Sequence, residues 1–267
     1  MRAWAAPAAA LTMALAGCAT TTPGGVPIDT TYTARGQDSR VMFLVIHYTV
    51  ANFPLSLRIL TQGEVSAHYL LSDESPPKVY RLVDEGRRAW HSGPSAWRGH
   101  RMLNASSIGI EIVHPGLVDT PQGKVFAPFR ADQIDVLIPL IKDIVARHQI
   151  RPERIVGHSD VLPMSKQDPG PTFPWKRLAD EGLIRWPDAT RVAAQRADFE
   201  RQLPDVAWFQ KSLATHGFDL ASTGLLDEPT RTALVAFQMK YRPARYDGQP
   251  DAETAALLQV LNAPEPR

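Results

Sequence analysis

The sequence has a single cysteine and no excess of charge of either sign. Cys18 is the only cysteine in 267 residues, which excludes an internal disulfide and a thiolate ligand for a metal site. Basic and acidic residues number 29 and 28, so the formal charge is +1 and nothing in the electrostatics suggests a nucleic-acid partner. We therefore expect no nucleic-acid binding, and we expect any metal ligands to be histidine and carboxylate side chains.

The N-terminal apolar run is short, and it resembles the signal peptide of a bacterial lipoprotein. Its apolar segment, 5–16, is too short to span a bilayer as a mature helix. It leads into LAGC (15–18), which is similar to a lipobox, in which the cysteine becomes the acylated first residue. With Ala19 next, the resemblance implies a signal peptide over 1–18 and an outer-membrane lipoprotein that faces the periplasm, lipidated on Cys18. The alternatives are an ordinary signal with an incidental cysteine, or an alanine-rich cytosolic start.

Composition divides the rest of the chain into four parts. Residues 19–35 are rich in Thr, Gly and Pro with almost no apolar clustering, which predicts a flexible tether. A first domain is predicted over 36–187, a charged, alanine-rich connector over 188–203, and a small helical domain over 204–267. The sequence thus indicates two folded domains behind an N-terminal tether.

Two histidines and one aspartate are candidate metal ligands. His47 follows six apolar residues, a pattern typical of a buried strand, and His158 follows Ile155 and Val156. Asp168 lies ten residues further on, in a loop rich in Pro and Gly. Two imidazoles and a carboxylate are the protein half of a catalytic zinc site. A lone histidine after a strand is more often a hydrogen-bonded structural residue, so the wider pattern has to decide.

Five separated motifs supply that pattern. They are VIHYT (45–49), VSAHYLL (65–71), AWHSG (89–93), LNASSIGIEIVHPG (103–116) and VGHSDVLPMSKQDPGP (156–171). In this order they resemble the amidase type 2 family of zinc-dependent N-acetylmuramoyl-L-alanine amidases, which share a fold with peptidoglycan recognition proteins. The resemblance implies an α/β fold with a mixed central sheet flanked by helices.

The resemblance also implies roles for individual residues. It implies one zinc ion held by His47, His158 and Asp168, with Glu111 as general base and Lys166 as transition-state stabiliser. Glu111 is on the opposite side of its strand from three isoleucines, where a solvated glutamate is the ordinary alternative. Lys166 has a surface loop lysine as its alternative. Three further residues are assigned to substrate contact or to orienting a ligand: His68, His91 and Asn104. For the two histidines, a structural hydrogen bond is the alternative.

Helical periodicity is clear in two regions. Residues 131–148 place six apolar side chains on one face, although Pro139 should kink that helix. Residues 204–267 contain three short amphipathic segments and are similar to the three-helix peptidoglycan-binding module. The family's usual second Asp-Gly is replaced by STGLLDEPT, and a domain that only supports the amidase is the alternative.

These observations together predict a function. We expect hydrolysis of the amide bond between N-acetylmuramic acid and L-alanine in peptidoglycan or its fragments, in cell-wall turnover and recycling. Expected partners are peptidoglycan, muropeptides and the outer membrane through the lipid anchor, and the protein is expected to be a monomer. A non-catalytic recognition protein on the same fold is the main alternative, and a zinc peptidase of the stem is a third. The sequence does not distinguish ordinary from 1,6-anhydro muramic acid.

Overall fold

The computed structural model describes residues 20–264, so Cys18 and the predicted signal peptide lie outside the described residues. The segment that precedes Ser39 is a unit by itself. Within it, β1 (Thr20–Thr21) pairs antiparallel with β2 (Pro27–Ile28). Between residues 20 and 264, no helix combines the length and the apolar character that crossing a bilayer requires.

The predicted tether therefore contains a short hairpin where coil was expected. Its turn is closed by Thr22, whose carbonyl oxygen accepts from the Gly25 amide and whose hydroxyl accepts from the Val26 amide. Gly25 has a φ of 82°, a conformation that glycine adopts without steric cost. The glycine content that suggested flexibility is what permits this turn.

From Ser39 onward the chain forms nine more strands and eight helices among the described residues. The strands are β3 (Phe43–Tyr48), β4 (Tyr69–Leu71), β5 (Val79–Arg81), β6 (Ala96–Trp97), β7 (His100–Arg101), β8 (Ser107–Ile112), β9 (Leu117–Thr120), β10 (Gly123–Phe126) and β11 (Ile155–Gly157). The helices are α1 (Phe53–Gln62), α2 (Ala131–His148), α3 (His158–Val161), α4 (Trp175–Asp180), α5 (Ala189–Arg201), α6 (Val206–His216), α7 (Glu228–Tyr241) and α8 (Ala252–Asn262).

The central sheet has five strands in the order β11-β3-β8-β4-β5. All neighbours are parallel except β4 and β5, so the expected mixed sheet is confirmed. The carboxyl ends of the parallel strands meet at one edge, where ligand sites of α/β sheets lie. The register places His47 of β3 directly beside Glu111 of β8, and His158 follows the last residue of β11. The sheet thus brings three of the predicted site residues to one edge.

One face of the sheet packs against α2. Alternate residues of β3 and β8, such as Leu44 and Ile110, form a core with the apolar face of that helix. The helix runs from Ala131 to His148 without interruption, although Pro139 lies inside it. Pro139 has no amide hydrogen to donate to the Asp135 carbonyl oxygen, four residues earlier. Both residues are exposed, so water can donate to that carbonyl instead.

The opposite face packs against the C-terminal helices. Phe43 and Val45 of β3 share a core with Phe209 of α6 and Phe237 of α7. The three predicted C-terminal helices are confirmed as α6, α7 and α8. An aspartate caps each of them by accepting the amide hydrogen three residues later: Asp205, Asp227 and Asp251. The helical module and the sheet therefore share one hydrophobic core.

The predicted connector is a helix. Asp188 caps α5 by accepting the Arg191 amide hydrogen. Val192 and Phe199, on that helix, pack against the same core as the C-terminal module. An alanine-rich, charged composition suits a helix as well as a linker, and this packing decides between them.

Candidate metal centre and active-site cleft

Three predicted ligands meet at the carboxyl edge of the sheet. His47 Nδ1 lies 3.0 Å from His158 Nδ1 and 3.1 Å from Asp168 Oδ2. His158 Nδ1 lies 3.2 Å from the same carboxylate oxygen. All three side chains are buried, and among the described residues they form the one group of at least three potential ligands. The structure thus brings together the residues that the sequence proposed.

The donor set fits a zinc ion. Two ring nitrogens 3.0 Å apart share at most one proton, and the ionised carboxylate supplies none. Ligand atoms at about 2.0–2.1 Å from a tetrahedral zinc would lie about 3.3 Å apart, close to the spacing seen here. Hydrogen bonds among His47 Nδ1, His158 Nδ1 and Asp168 Oδ2 cannot give every one of these atoms a partner, whereas a cation shared by all three does.

The protonation states favour metal binding. Burial, followed by the neighbouring His158, lowers the pKa of His47 to about 4, so this ring is neutral at pH 7. Burial tends to raise the pKa of Asp168, but the close imidazoles of His158 and His47 outweigh it and hold that pKa below its usual range. A neutral imidazole and an ionised carboxylate are the forms that bind a metal.

Backbone contacts hold the loop that carries Asp168. The Ser159 amide donates to the Asp168 carbonyl oxygen over 2.9 Å, which joins the loop to the start of α3. A Cβ atom at Gly157 would lie 2.6 Å from Pro169 Cδ, so only glycine permits this close approach. The loop therefore lies over the sheet edge, as its Pro and Gly content suggested.

Glu111 extends into the cleft beside the cluster. The residue is half-buried, and its Oε2 atom is enclosed without a hydrogen-bond partner among the described residues. Burial, and then the negative charge of Asp168, raise the pKa of Glu111 to about 8, while Lys166 opposes the rise. A carboxylate with a raised pKa in a cleft is the expected signature of a proton-transfer group.

The cleft has a volume of about 440 Å³, within the range of small-molecule sites. Glu111, His158, Asp168 and the exposed Lys166 line it together with His91. Its remaining walls are formed by the end of β3, by α1 and by the loops after β3, α1, β5 and α3, with these residues: Tyr48, Thr49, Val50, Ser56, Ile59, Leu60, Val65, Ser66, Trp90, Ser165 and Gln167. The candidate base, the candidate stabiliser and the ligand cluster therefore open into one space.

The three residues assigned to substrate contact or orientation have different positions. His91 lines the cleft, and its Nδ1 lies 3.0 Å from His47 Nε2. His68 is fully buried behind it, where its ring accepts the Gly109 amide hydrogen and donates to the Arg87 carbonyl. Asn104 is buried and accepts the backbone amide hydrogens of residues 91 and 92. Neither His68 nor Asn104 lines the cleft, and the hydrogen bonds of both to backbone groups favour the orienting role over substrate contact.

Sequence reasoning missed two groups near the site. Ser107 is buried on β8, four residues before Glu111, and its hydroxyl lies 3.1 Å from His91 Nε2. Lys240 of α7 is buried and donates to Asp160, two residues after His158, over 2.8 Å. The only signal for Ser107 was the alternation that puts it on the same strand face as Glu111, and Lys240 had none.

Two family comparisons cover most of the chain. Residues 37–171 match the family described as N-acetylmuramoyl-L-alanine amidase, and residues 202–258 match a putative peptidoglycan binding domain.

Individual relatives extend over both domains. The chain is 43% identical over 262 residues to N-acetylmuramoyl-L-alanine amidase AmiD of Escherichia coli, covering 94% of this chain and 95% of that protein. It is similar to the structure of AmiD in complex with the substrate anhydro-N-acetylmuramic acid-L-Ala-D-gamma-Glu-L-Lys, with a TM-score of 0.80, 42% identity and coverage of 90% and 96%. It is also similar to AmpDh3 of Pseudomonas aeruginosa in complex with anhydromuramic pentapeptide, with a TM-score of 0.81, 38% identity and coverage of 88% and 97%.

Proposed function

The chain belongs to the N-acetylmuramoyl-L-alanine amidase family, and we propose that it uses one zinc ion to cleave the bond between N-acetylmuramic acid and L-alanine in peptidoglycan fragments. The observation that carries the zinc assignment is the cluster of His47, His158 and Asp168, with ligand atoms no more than 3.2 Å apart. Glu111 beside this cluster supports catalysis over recognition alone.

The residues of the cleft divide the chemistry among them. Zinc, when bound, supplies Lewis-acid activation of water and of the amide carbonyl. Glu111 takes the proton of the attacking water at its enclosed carboxylate and passes it to the departing nitrogen of L-alanine. The Lys166 ammonium stabilises the negative charge that develops on the carbonyl oxygen.

We propose that fragments with a 1,6-anhydro sugar are among the substrates, in cell-wall turnover and recycling. AmiD and AmpDh3, which resemble the chain over most of its length, were both solved with anhydromuramyl peptides. The helical module matches a peptidoglycan-binding family, which supports contact with the polymer as well.

Zinc content and product masses test this proposal together. Purified protein without residues 1–18 is expected to bind about one zinc per chain and to release free stem peptide from anhydromuropeptides, as measured by metal analysis and mass spectrometry. Single changes His47→Ala, His158→Ala and Asp168→Ala should each lower zinc occupancy and stop product formation, because each removes one of three ligands.

A matched control is His100→Ala, at a histidine on β7 outside the cluster, which should keep its zinc. Stoichiometric zinc in all three ligand variants would overturn the site. Cleavage between amino acids of the stem would instead favour a zinc peptidase. Binding of muropeptides without any product would favour a recognition protein.

We also propose that Cys18 anchors the enzyme in the outer membrane. The support is the LAGC sequence, in which the cysteine has no other thiol to pair with. Two or more acyl chains anchor stably where one is marginal, since each buried CH₂ contributes about 0.8 kcal/mol. The wild type should take up labelled fatty acid and fractionate with the outer membrane, whereas Cys18→Ser should stay unprocessed in the inner membrane. Unlabelled wild-type protein free in the periplasm would show an ordinary signal peptide.

A further inference from the structure

A chain of hydrogen-bonding groups leads from the metal centre into the protein. His47 Nε2 lies 3.0 Å from His91 Nδ1, on the side of the ring opposite the ligand cluster. His91 Nε2 lies 3.1 Å from the Ser107 hydroxyl. The Ser107 hydroxyl in turn donates to the Leu103 carbonyl oxygen over 2.6 Å. The side chains of His47, His91 and Ser107 are all buried.

The last contact fixes the direction of every other one. Two oxygens 2.6 Å apart need a proton between them, and a carbonyl oxygen has none, so Ser107 is the donor. Because its one proton is used there, Ser107 must accept from His91 Nε2–H. His91 Nδ1 then carries no proton and must accept from His47 Nε2–H. This leaves a lone pair on His47 Nδ1, the atom that faces His158 and Asp168.

We propose that His91 and Ser107 are positioning residues that hold His47 as the Nε2–H tautomer and so keep its Nδ1 ready to bind the metal. This inference rests on the proposed zinc site. Outer hydrogen-bond partners of metal-ligating histidines set their tautomer and ring orientation, and a carbonyl oxygen is a common terminus. Here the carbonyl is reached through two intervening side chains: His91 contacts the ligand His47, and Ser107 contacts His91.

The surroundings of His91 hold it in place. A Cβ atom at Gly109 would lie 2.4 Å from the His91 ring, so the ring occupies space that only glycine leaves on β8. His68 accepts the Gly109 amide hydrogen, and Asn104 accepts the amide hydrogen of His91. The three residues assigned from sequence to substrate or orientation thus contribute to one arrangement. His68 and Asn104 accept backbone amide hydrogens, and His91 contacts the candidate ligand His47.

The second histidine ligand lacks such a chain. His158 Nε2 is enclosed and has no hydrogen-bond partner among the residues that the structure describes. Its tautomer is therefore set at the ligand cluster, whereas that of His47 is set from both sides. We call the hydrogen-bonded series of His47, His91, Ser107 and the Leu103 carbonyl the relay. Loss of the relay should change the tautomer of His47 and leave that of His158 unchanged.

Ser107→Ala tests the relay with little change in volume. Without its acceptor, His91 is free to turn its proton toward His47, so a fraction of His47 should carry its proton on Nδ1 instead. We expect long-range ¹H–¹⁵N spectra of zinc-free wild-type protein to show the proton on Nε2 of both His47 and His91. In the variant, His47 should show a mixture of the two tautomers. Zinc affinity, measured by chelator competition, should fall. The change His91→Phe should lower zinc affinity about 10–100-fold. Ser107→Thr keeps the hydroxyl, so its zinc affinity should equal that of the wild type.

Ser95→Ala is the matched control. Ser95 is buried nearby and accepts the Leu103 amide hydrogen, yet it lies outside the relay. It should lower thermal stability without changing the His47 tautomer or zinc affinity. An equal loss of affinity in Ser95→Ala, or unchanged tautomer and affinity in Ser107→Ala, would overturn the relay. Wild-type protein that binds no zinc would overturn the proposed function instead, and the zinc-free spectra would still test the relay.

Discussion

Replacement of Glu111 with glutamine is expected to lower kcat by about 10²–10⁴-fold while zinc stays bound, because a positioned proton-transfer group contributes about that much. Glutamine keeps the size of the side chain but cannot take a proton from water. The carboxylate is not one of the three clustered ligands, so its loss should not release the metal. The measurements are zinc content and kcat on anhydromuropeptides in the same preparations.

The electrostatics of the site make this test informative. Burial and the charge of Asp168 raise the pKa of Glu111 to about 8. A divalent cation on the three ligands would lower that pKa, because it would stabilise the carboxylate. A lower pKa would favour the ionised form of Glu111, which is the form that acts as a general base.

Glu64→Gln serves as the control for Glu111→Gln. Glu64 is exposed and precedes Val65, a residue of the cleft wall, so the same chemical change is made close to the cleft. Its kcat should equal that of the wild type. If Glu111→Gln lost zinc, or kept its full rate, the assignment of Glu111 as the base would be wrong.

The ligand cluster was predictable because the local sequence marks candidate ligands and the order of five separated motifs resembles a known zinc amidase family. His47 and His158 come at the ends of apolar runs, and parallel strands bring such ends to one edge. The helix over 131–148 was predictable for a similar reason, since its apolar residues recur with helical spacing. For the helix, the whole signal lies within eighteen residues of chain.

The relay and the shared core were not predictable, because they depend on contacts between distant segments. Ser107 is an ordinary small residue in a strand until His91 is placed against it. Phe43 and Val45 could have faced solvent, a partner or a helix, and only the tertiary structure shows that they pack on Phe209 and Phe237. Periodicity shows which face of an element is apolar, but it does not show what covers that face.

Lys240→Met is expected to lower the free energy of unfolding by about 3–5 kcal/mol, because it leaves the Asp160 carboxylate buried without its cation. Lys240 and Asp160 are 5% and 3% exposed, and their charged atoms lie 2.8 Å apart. The Lys240 ammonium also lies 4.2 Å from the centre of the Trp175 ring. The ion pair thus joins α7 to the segment that begins at His158. Chemical denaturation is the measurement.

Two further variants separate the buried charge from the loss of packing. Lys240→Met combined with Asp160→Asn should recover part of the stability, since asparagine is neutral and can still accept the Gly157 amide hydrogen. Lys211→Met, at an exposed lysine of α6, should change stability by no more than about 0.5 kcal/mol.

A double variant no more stable than Lys240→Met would show that the buried charge is not the cause of the lost stability.

Because the sheet and the helical module share one core, Lys240→Met should also shift a single unfolding transition that includes both of them. Two separate transitions would mean that the module folds by itself. In that case, removal of residues 204–267 would be a clean test of peptidoglycan binding. With one transition, removal would expose Phe43 and Val45, and a lower rate would reflect a damaged sheet as much as a lost binding site.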